Sequence, residues 1–484
     1  GFDPNDEEAI LKVIKAFYGL AHAPRAWWED VVKTLCSQGW RQLQSDKCVF
    51  ILMCEKVPDK PVGVIGLHVD DFVIGGDHSN ATFLQARTEL YHSYKWGKWE
   101  ADEFDFAGCR LRQFKDFSIT LDQEKYTDQF IEEIPMTKER AKQEKSEITE
   151  RERSYMRGSL GTVSWRAQQS GPQFAADTGL ALSTVTRATV RDLVVVNKLV
   201  KDTRKAASQA LRFHHHNGMS WRDIAVITWA DASQGNRPDK SSTVGLVAGL
   251  APKTILDGEE TEVNLVNWRS TKTPRASLGS NGSEVQSITM CEDWTYLIRL
   301  FWCEVNGIHL QRYRWDQIIR ENSIGGLVMD PKGIFDAATR NESPLHGLRS
   351  SRAGYELVSA VKQAKLTGTQ LRWVHGGAQL ADTLTKSGYP ARATLELFFK
   401  NGFRWRIVHD EKYESSRRRT QKGMKALQQE IHEQEVNFLK ALATFADAEG
   451  YNHADEWQDL DSEMPEGLSL VQNLRDSHQP SIKT

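Results

Sequence analysis

Between Ile224 and Lys386 the chain alternates short apolar runs with amphipathic stretches, in an order that leaves few folds open. Ile224 to Trp229, Val244 to Ala248 and Val263 to Trp268 read as three strands in close succession. Glu284 to Val305 reads as a helix, Leu327 to Met329 as a strand, Ile334 to Ala338 as a helix, Leu371 to Val374 as a strand and Leu380 to Lys386 as a helix. Three hairpin-linked strands, followed by strands reached through helices, specify a mixed five-stranded sheet with helices on its faces. The chain has 484 residues, 39% hydrophobic and 26% charged, so this sheet accounts for one of about three folded units. The fold class expected is α+β and α/β in several domains.

Upstream, residues 9 to 40 read as helix with a break at Gly19 to Pro24. Ile10, Val13, Ile14 and Phe17 recur at helical spacing before the break, and Trp27, Val31 and Leu35 after it. Cys48 to Met53 and Val62 to Val69 read as strands, and the second runs into Asp70-Asp71 and then Phe72 to Gly76. Two adjacent carboxylates therefore stand at the turn of a β-hairpin. A pair of this kind can simply cap the turn. It can also present oxygens to divalent ions that lower the pKa of a hydroxyl and hold a triphosphate.

The net charge of −3 gives the whole chain no pull toward nucleic acid or membrane, but it hides a basic segment. From Arg151 to Arg212 eleven Lys and Arg oppose four acids, while Leu193, Val196, Leu199 and Val200 keep helical spacing, which puts the charges on the outer face of packed helices. Arg187, Arg191, Lys198 and Lys201 form either a solvated face or the electrostatic footprint of nucleic-acid binding. Six cysteines with no CxxC exclude a disulfide scaffold or zinc knuckle and fit a reducing, intracellular compartment. No stretch approaches the roughly 18 apolar residues of a membrane span, and the opening lacks the features of a signal peptide. His214-His-His reads as part of a linker, because neighbours in sequence point different ways. Beyond about residue 410, Arg417 to Ala448 reads as a helix that is basic at its start, and the acidic remainder as disordered.

Four carboxylates occupy similar places in the second half. Asp231 closes the first strand, Glu284 opens a helix, Asp330 closes a later strand and Asp382 sits in the segment after the last one. Any one of them reads as a cap or a salt bridge. Four gathered at one edge of a sheet repel one another unless a divalent cation neutralises them, and hard oxygen ligands select Mg²⁺ or Mn²⁺. Two such ions about 4 Å apart suit hydrolysis of a phosphodiester.

Ala230-Asp-Ala-Ser, Asn267-Trp-Arg-Ser-Thr-Lys-Thr-Pro, Ser283-Glu-Val-Gln, Val328-Met-Asp-Pro-Lys-Gly-Ile-Phe-Asp-Ala and Gln379-Leu-Ala-Asp-Thr-Leu-Thr-Lys resemble, in order, the motifs of the ribonuclease H domain of copia-type retrotransposon polyproteins. Leu11-Lys-Val-Ile-Lys-Ala-Phe-Tyr-Gly-Leu-Ala-His-Ala-Pro-Arg-Ala-Trp and Gly66-Leu-His-Val-Asp-Asp-Phe-Val-Ile-Gly are similar to the helix-and-turn and the catalytic hairpin of the same family's reverse transcriptase. Tyr155-Met-Arg-Gly-Ser-Leu-Gly to Ala176-Asp resembles the segment after its palm. The likeness covers about residues 8 to 405.

The resemblance implies a partial reverse-transcriptase palm over 1–130, a basic helical thumb and connection over 131–217, a ribonuclease H-like unit over 218–410, and a helix with an acidic tail over 411–484. It implies that Asp231, Glu284, Asp330 and Asp382 hold two Mg²⁺ or Mn²⁺ ions, that His375 assists product release, and that Asp70 is the principal and Asp71 the auxiliary metal ligand of a polymerase. The partners implied are an RNA/DNA hybrid and a primer-template, with no membrane. The localisation implied is intracellular: cytoplasmic, in a virus-like particle or in the nucleus. Asp336 falls inside a helix and reads as surface or structural. The family's third polymerase carboxylate lies upstream of the Lys12 to Leu20 motif, where this chain has Asp3 and Asp6 in a polar opening that suits neither to the role. A chain that starts at Gly1 thus reads as N-terminally truncated, with cleavage of RNA in hybrids as its activity and an incomplete polymerase site. The rival reading is a decayed, non-catalytic remnant that binds nucleic acid.

Overall fold

The computed structural model describes residues 20–57, 60–340, 348 and 350–407. The expected helix over residues 9 to 18, the helix over 417 to 448 and the acidic tail lie outside these residues. Helix α1 (Ala23–Ser37) carries Pro24 in its first turn, where a missing N–H leaves no bond unmade, and buries Val31 and Leu35. It leads into an antiparallel sheet of β1 (Trp40–Gln42), β2 (Val49–Met53), β3 (Pro61–His68) and β4 (Asp71–Gly76), in that order. Helix α2 (Ala81–Ser93) is capped by Asn80, whose side chain accepts from the amides of Thr82 and Phe83, and it buries Phe83, Ala86 and Leu90 in this sheet's core.

A second antiparallel sheet joins β5 (Glu103–Phe106), β6 (Cys109–Gln113) and β7 (Ile119–Asp122) to β8 (Leu211–Phe213), which returns after a helical insertion. The insertion holds α3 (Glu124–Phe130), α4 (Lys138–Ala141), α5 (Glu150–Gln169), α6 (Ala175–Thr184) and α7 (Val190–Lys205). Thr149 and Glu152 form a reciprocal capping box at the start of α5, and Thr189 and Asp192 do the same for α7. The helices share a core of Met156, Leu160, Val163, Leu193, Val196 and Val200. Arg166 departs from the expected outer basic face: it is fully buried and donates to the carbonyls of Ala206 and Gln209 at 3.0 and 2.9 Å.

The expected five-stranded mixed sheet forms from β9 (Ile224–Ser233), β10 (Thr243–Pro252), β12 (Asn264–Lys272), β13 (Ile324–Met329) and β14 (Gln370–Trp373), in the order β12-β10-β9-β13-β14. The first three are antiparallel and the last two run parallel to β9. The stretch after β10, including β11 (Thr261–Glu262), leaves this sheet to pair with β15 (Arg404–Trp405). Helices α8 (Ser280–Val305), α9 (Trp315–Asn322), α10 (Lys332–Thr339), α11 (Ser351–Thr367) and α12 (Tyr389–Lys400) complete the unit. Of these, α9, α11 and α12 were not anticipated. One core packs Trp229, Val247, Leu265, Val328, Leu384 and Phe398 on one side of the sheet, and another packs Leu246, Ile288, Leu327, Met329 and Leu357 on the other. Strands buried on both faces read as continuous apolar runs, which is why β9 and β10 were visible in the sequence.

Two polar clamps join these parts. The Glu304 carboxylate, at the C-terminal end of α8, accepts from the amides of Gln44 and Ser45 at 2.7 and 2.9 Å and from Ser45 Oγ at 2.5 Å. Arg41 and Gln44 add bonds to the carbonyls of Gly307 and Leu310. On α12, the buried Arg392 guanidinium donates to Asp177 at 2.8 Å and Asp202 at 2.9 Å and lies over the Phe174 ring. Among the described residues no helix is long and apolar enough to cross a membrane.

Candidate active site

Asp231 is the one charged residue of a mostly apolar, buried strand, and it is itself only 4% exposed. Parallel pairing sets Met329 level with Ala230, so Asp330, the next residue after β13, comes level with Asp231. Glu284 enters from the first turns of α8, which packs along β9. One carboxylate oxygen from each of these three acids lies within 4.8 Å of the other two.

Burial, reinforced by the charges of Asp330 and Asp382, pushes the Asp231 carboxyl up to about 7. Burial and the charges of Asp231 and Asp330 push Glu284 up to about 10, and burial with Asp382 pushes Asp330 up to about 6. Three acids so placed cannot all ionise without a compensating cation. Glu284 Oε2 is buried without a hydrogen-bond partner, so the donor set has an oxygen to spare for a hard divalent ion. Asp231, Glu284 and Asp330 are thus the residues that would hold one.

The fourth expected acid stands apart. Asp382 lies in a short 3₁₀ turn, Leu380–Leu384, instead of the expected helix. Gln379 caps this turn, accepting from Ala381 N and donating to the Ala230 carbonyl at 2.9 Å. Gly245, opposite Asp231 in the sheet, lets the turn settle against β10, since a Cβ there would fall 2.5 Å from the Ala381 carbonyl oxygen. Thr385 Oγ1 then donates to Asp231 Oδ2 at 2.5 Å, and Asn236 holds the Thr385 carbonyl at 2.7 Å. The Asp382 charge reaches Asp231 and Asp330, yet its carboxylate is outside the three-acid group and accepts a bond from Lys386 Nζ. Of the four expected acids, three thus lie within ligand distance of one another, and Asp382 sits beside them in an ion pair with Lys386. Burial draws the Lys386 ammonium down, but Asp382, Asp231 and Asp330 outweigh it and hold it above its usual range.

His375 follows β14 and accepts from Gly377 N at 3.2 Å. Its neighbour Gly376 approaches Asp330, where a Cβ would come 3.9 Å from Oδ2, so His375 stands in the loop beside the three acids. Asp336 pairs with Lys332 at 3.0 Å on the following helix. Gln379, Thr385 and Lys386 went without a role in the sequence reading. Their signal there was membership of the Gln379-Leu-Ala-Asp-Thr-Leu-Thr-Lys motif around Asp382.

Asp70 and Asp71 are exposed at the tip of the β3–β4 hairpin, where His68 pairs with Asp71 across a two-residue turn. Val69 occupies that turn with φ 56°, a left-handed conformation that strains a β-branched residue. Trp27 Nε1 on α1 donates to the Val69 carbonyl at 2.9 Å and so pins the turn, and Phe72 packs edge-on against Trp96. Among the described residues no third acid joins Asp70 and Asp71 within metal-ligand reach.

Arg187, Arg191, Lys198 and Lys201 are all exposed, and Lys201 pairs with Glu133 at 3.4 Å. The segment read as a linker at His214 to His216 is held to its surroundings: His214 and His216 flank Glu262 at 3.7 and 3.8 Å, and Asn264 bonds both the amide and the carbonyl of His214.

Residues 1–146, which include the Asp70-Asp71 hairpin, match the family described as reverse transcriptase (RNA-dependent DNA polymerase). No curated protein matches the chain. Among solved structures, the foamy viral protease-reverse transcriptase in complex with an RNA/DNA hybrid is similar over 76% of this chain at 9% identity. This chain spans 61% of that one, and the TM-score of 0.21 is too low to carry an argument.

Proposed function

We propose that this chain is a reverse transcriptase and ribonuclease H segment of a copia-type retroelement, and that its carboxylate centre cleaves the RNA strand of RNA/DNA hybrids. The observation that carries this reading is the convergence of Asp231, Glu284 and Asp330 at the end of two parallel strands, with a buried Glu284 oxygen left unpaired. The match of residues 1–146 to a reverse transcriptase family supports the retroelement setting.

Bound Mg²⁺ or Mn²⁺ would activate a water and neutralise charge on the scissile phosphate. The protein fixes the acids beforehand. Thr385 orients the Asp231 carboxylate, Gln379 ties the Asp382 turn to β9, and His375 waits in the loop beside Asp330 to meet the departing product. The exposed Arg187, Arg191, Lys198 and Lys201 would hold the hybrid through its phosphates, without sequence preference. Asp70 and Asp71 belong in this proposal to a polymerase centre. An intracellular setting, cytoplasmic, nuclear or within a virus-like particle, completes the proposal.

The test is incubation of the purified chain with an end-labelled RNA/DNA hybrid, with and without Mg²⁺ or Mn²⁺. Metal-dependent cleavage of the RNA strand is expected, lost in Asp231→Asn and Asp330→Asn with the fold retained and little changed in Asp336→Asn. Salt-sensitive binding of the hybrid without any cleavage would favour the non-catalytic remnant instead.

A further inference from the structure

Asp382 and the three-acid group differ in what already faces them. Within the group, Glu284 Oε2 has no hydrogen-bond partner, so nothing in the protein competes for that oxygen. Asp382, in contrast, is already bonded to an ammonium group, that of Lys386. The acid is held in place by its backbone. Its turn is capped by Gln379, pressed on the sheet at Gly245 and anchored through the Thr385 carbonyl by Asn236. The lysine has more freedom, with a side chain 53% exposed against 22% for Asp382, on a flexible four-carbon stem. A fixed acid paired with a releasable monovalent cation is a site at which a divalent ion can take the lysine's place.

We propose that Lys386 is an internal competitor for the second divalent cation, so that the centre loads its ions in order. The first ion binds at Asp231, Glu284 and Asp330, which feel the Lys386 charge but carry no hydrogen bond from it. The second binds at Asp382 only when Lys386 swings out to solvent. This inference rests on the reading of the three acids as a metal centre, and it adds a specific consequence: the two affinities are separated by a residue that can be removed.

The experiment counts Mn²⁺ bound to the full chain by titration calorimetry and by electron paramagnetic resonance, with circular dichroism to confirm the fold. Wild type is expected to show one tighter and one weaker class of site. Lys386→Met should tighten the weaker class by up to about fivefold, the effect of losing one half-exposed ion-pair partner, and should change the tighter class less. Asp382→Asn should remove the weaker class alone. An unchanged or weakened second class in Lys386→Met would overturn the role of Lys386 while leaving the metal centre standing. Absence of Mn²⁺ binding in wild type would overturn both.

Discussion

Asp231 and Asp330 stand one residue beyond Ala230 and Met329, the last aligned pair of the parallel strands β9 and β13. Strand register thus brings a buried and a half-buried acid abreast. A carboxylate pair in that position destabilises the metal-free fold, and the sign of its pH dependence follows directly.

Asp231, Glu284 and Asp330 all have folded-state pKa values raised above the usual carboxylate range, Asp231 to about 7 and Glu284 to about 10. The folded state therefore keeps protons that the unfolded chain releases near pH 4. The stability this confers is present in full below that point and is lost as pH rises through the folded values, a change on the order of a few kcal/mol. In chelator, the unfolding midpoint should fall between pH 5 and pH 9, and Mg²⁺ should restore more of it at pH 8 than at pH 5. Asp231→Asn should flatten the profile. A midpoint that climbs across this range in chelator would contradict the assignment of these shifts.

Gly245→Ala puts a methyl group against the Ala381 carbonyl and the side chains of Leu384 and Thr385. The expected cost is about 1–3 kcal/mol from overpacking, together with weaker metal binding as Thr385 is displaced from Asp231. Gly158→Ala is the control, since nothing lies within 4 Å of the added carbon on α5. It should stabilise by roughly 0.5–1 kcal/mol through helix propensity. Urea denaturation of the two variants measures the contrast.

Arg392→Ala leaves the largely buried Asp177 and the partly buried Asp202 without their cation. Loss of a buried pair from one side costs about 3–5 kcal/mol, so this variant should be among the least stable single substitutions at the junction of α12 with the helical insertion. Restoration of much of that loss by Asp177→Asn in the same chain, read by thermal unfolding, would attribute the cost to the uncompensated charge.

Reversing Arg187, Arg191 and Lys198 to Glu should weaken hybrid binding for all sequences alike. If each contacts one phosphate, the slope of log affinity against log salt should shrink by about 3. Lys201→Glu should also weaken binding, and it loses the ion pair with Glu133 as well. Fluorescence anisotropy over a salt series makes the measurement, and an unchanged slope would return this face to a solvated one.

The central strands were legible because burial on both faces writes a nearly continuous apolar run, as in Ile224 to Ala230, where Thr228 is the one polar residue. Helix α11 was harder to see. Its buried stripe is Ala353, Gly354, Leu357, Ala360, Val361 and Ala364, in which mostly small side chains give little contrast with the exposed face. Helix α12 opens behind Gly388 with Pro390 at its second position, and that punctuation reads equally well as a turn. The acids at strand ends could be picked out one by one. Whether a metal or a lysine claims Asp382 could not, because an i, i+4 pair such as Asp382 and Lys386 is commonplace in any sequence. Arg166 shows the same limit: adjacent to the buried Ala167, it sits among basic residues yet turns inward to satisfy two carbonyls.

Helix α8 has a mechanical consequence. It carries Glu284 near one end and Glu304 near the other, twenty residues apart, which is about 30 Å of straight helix. One end reaches the carboxylate cluster and the other grips the β1–β2 turn of the hairpin-bearing sheet. The helix is also packed along its length on β9 and against α11, so its two ends move together. A tilt of a few degrees at the Glu304 anchor becomes a shift of about an ångström or more at Glu284, comparable to the tolerance of a metal ligand. The β1–β2 turn is thereby tied, through one helix, to the place of Glu284 beside Asp231 and Asp330.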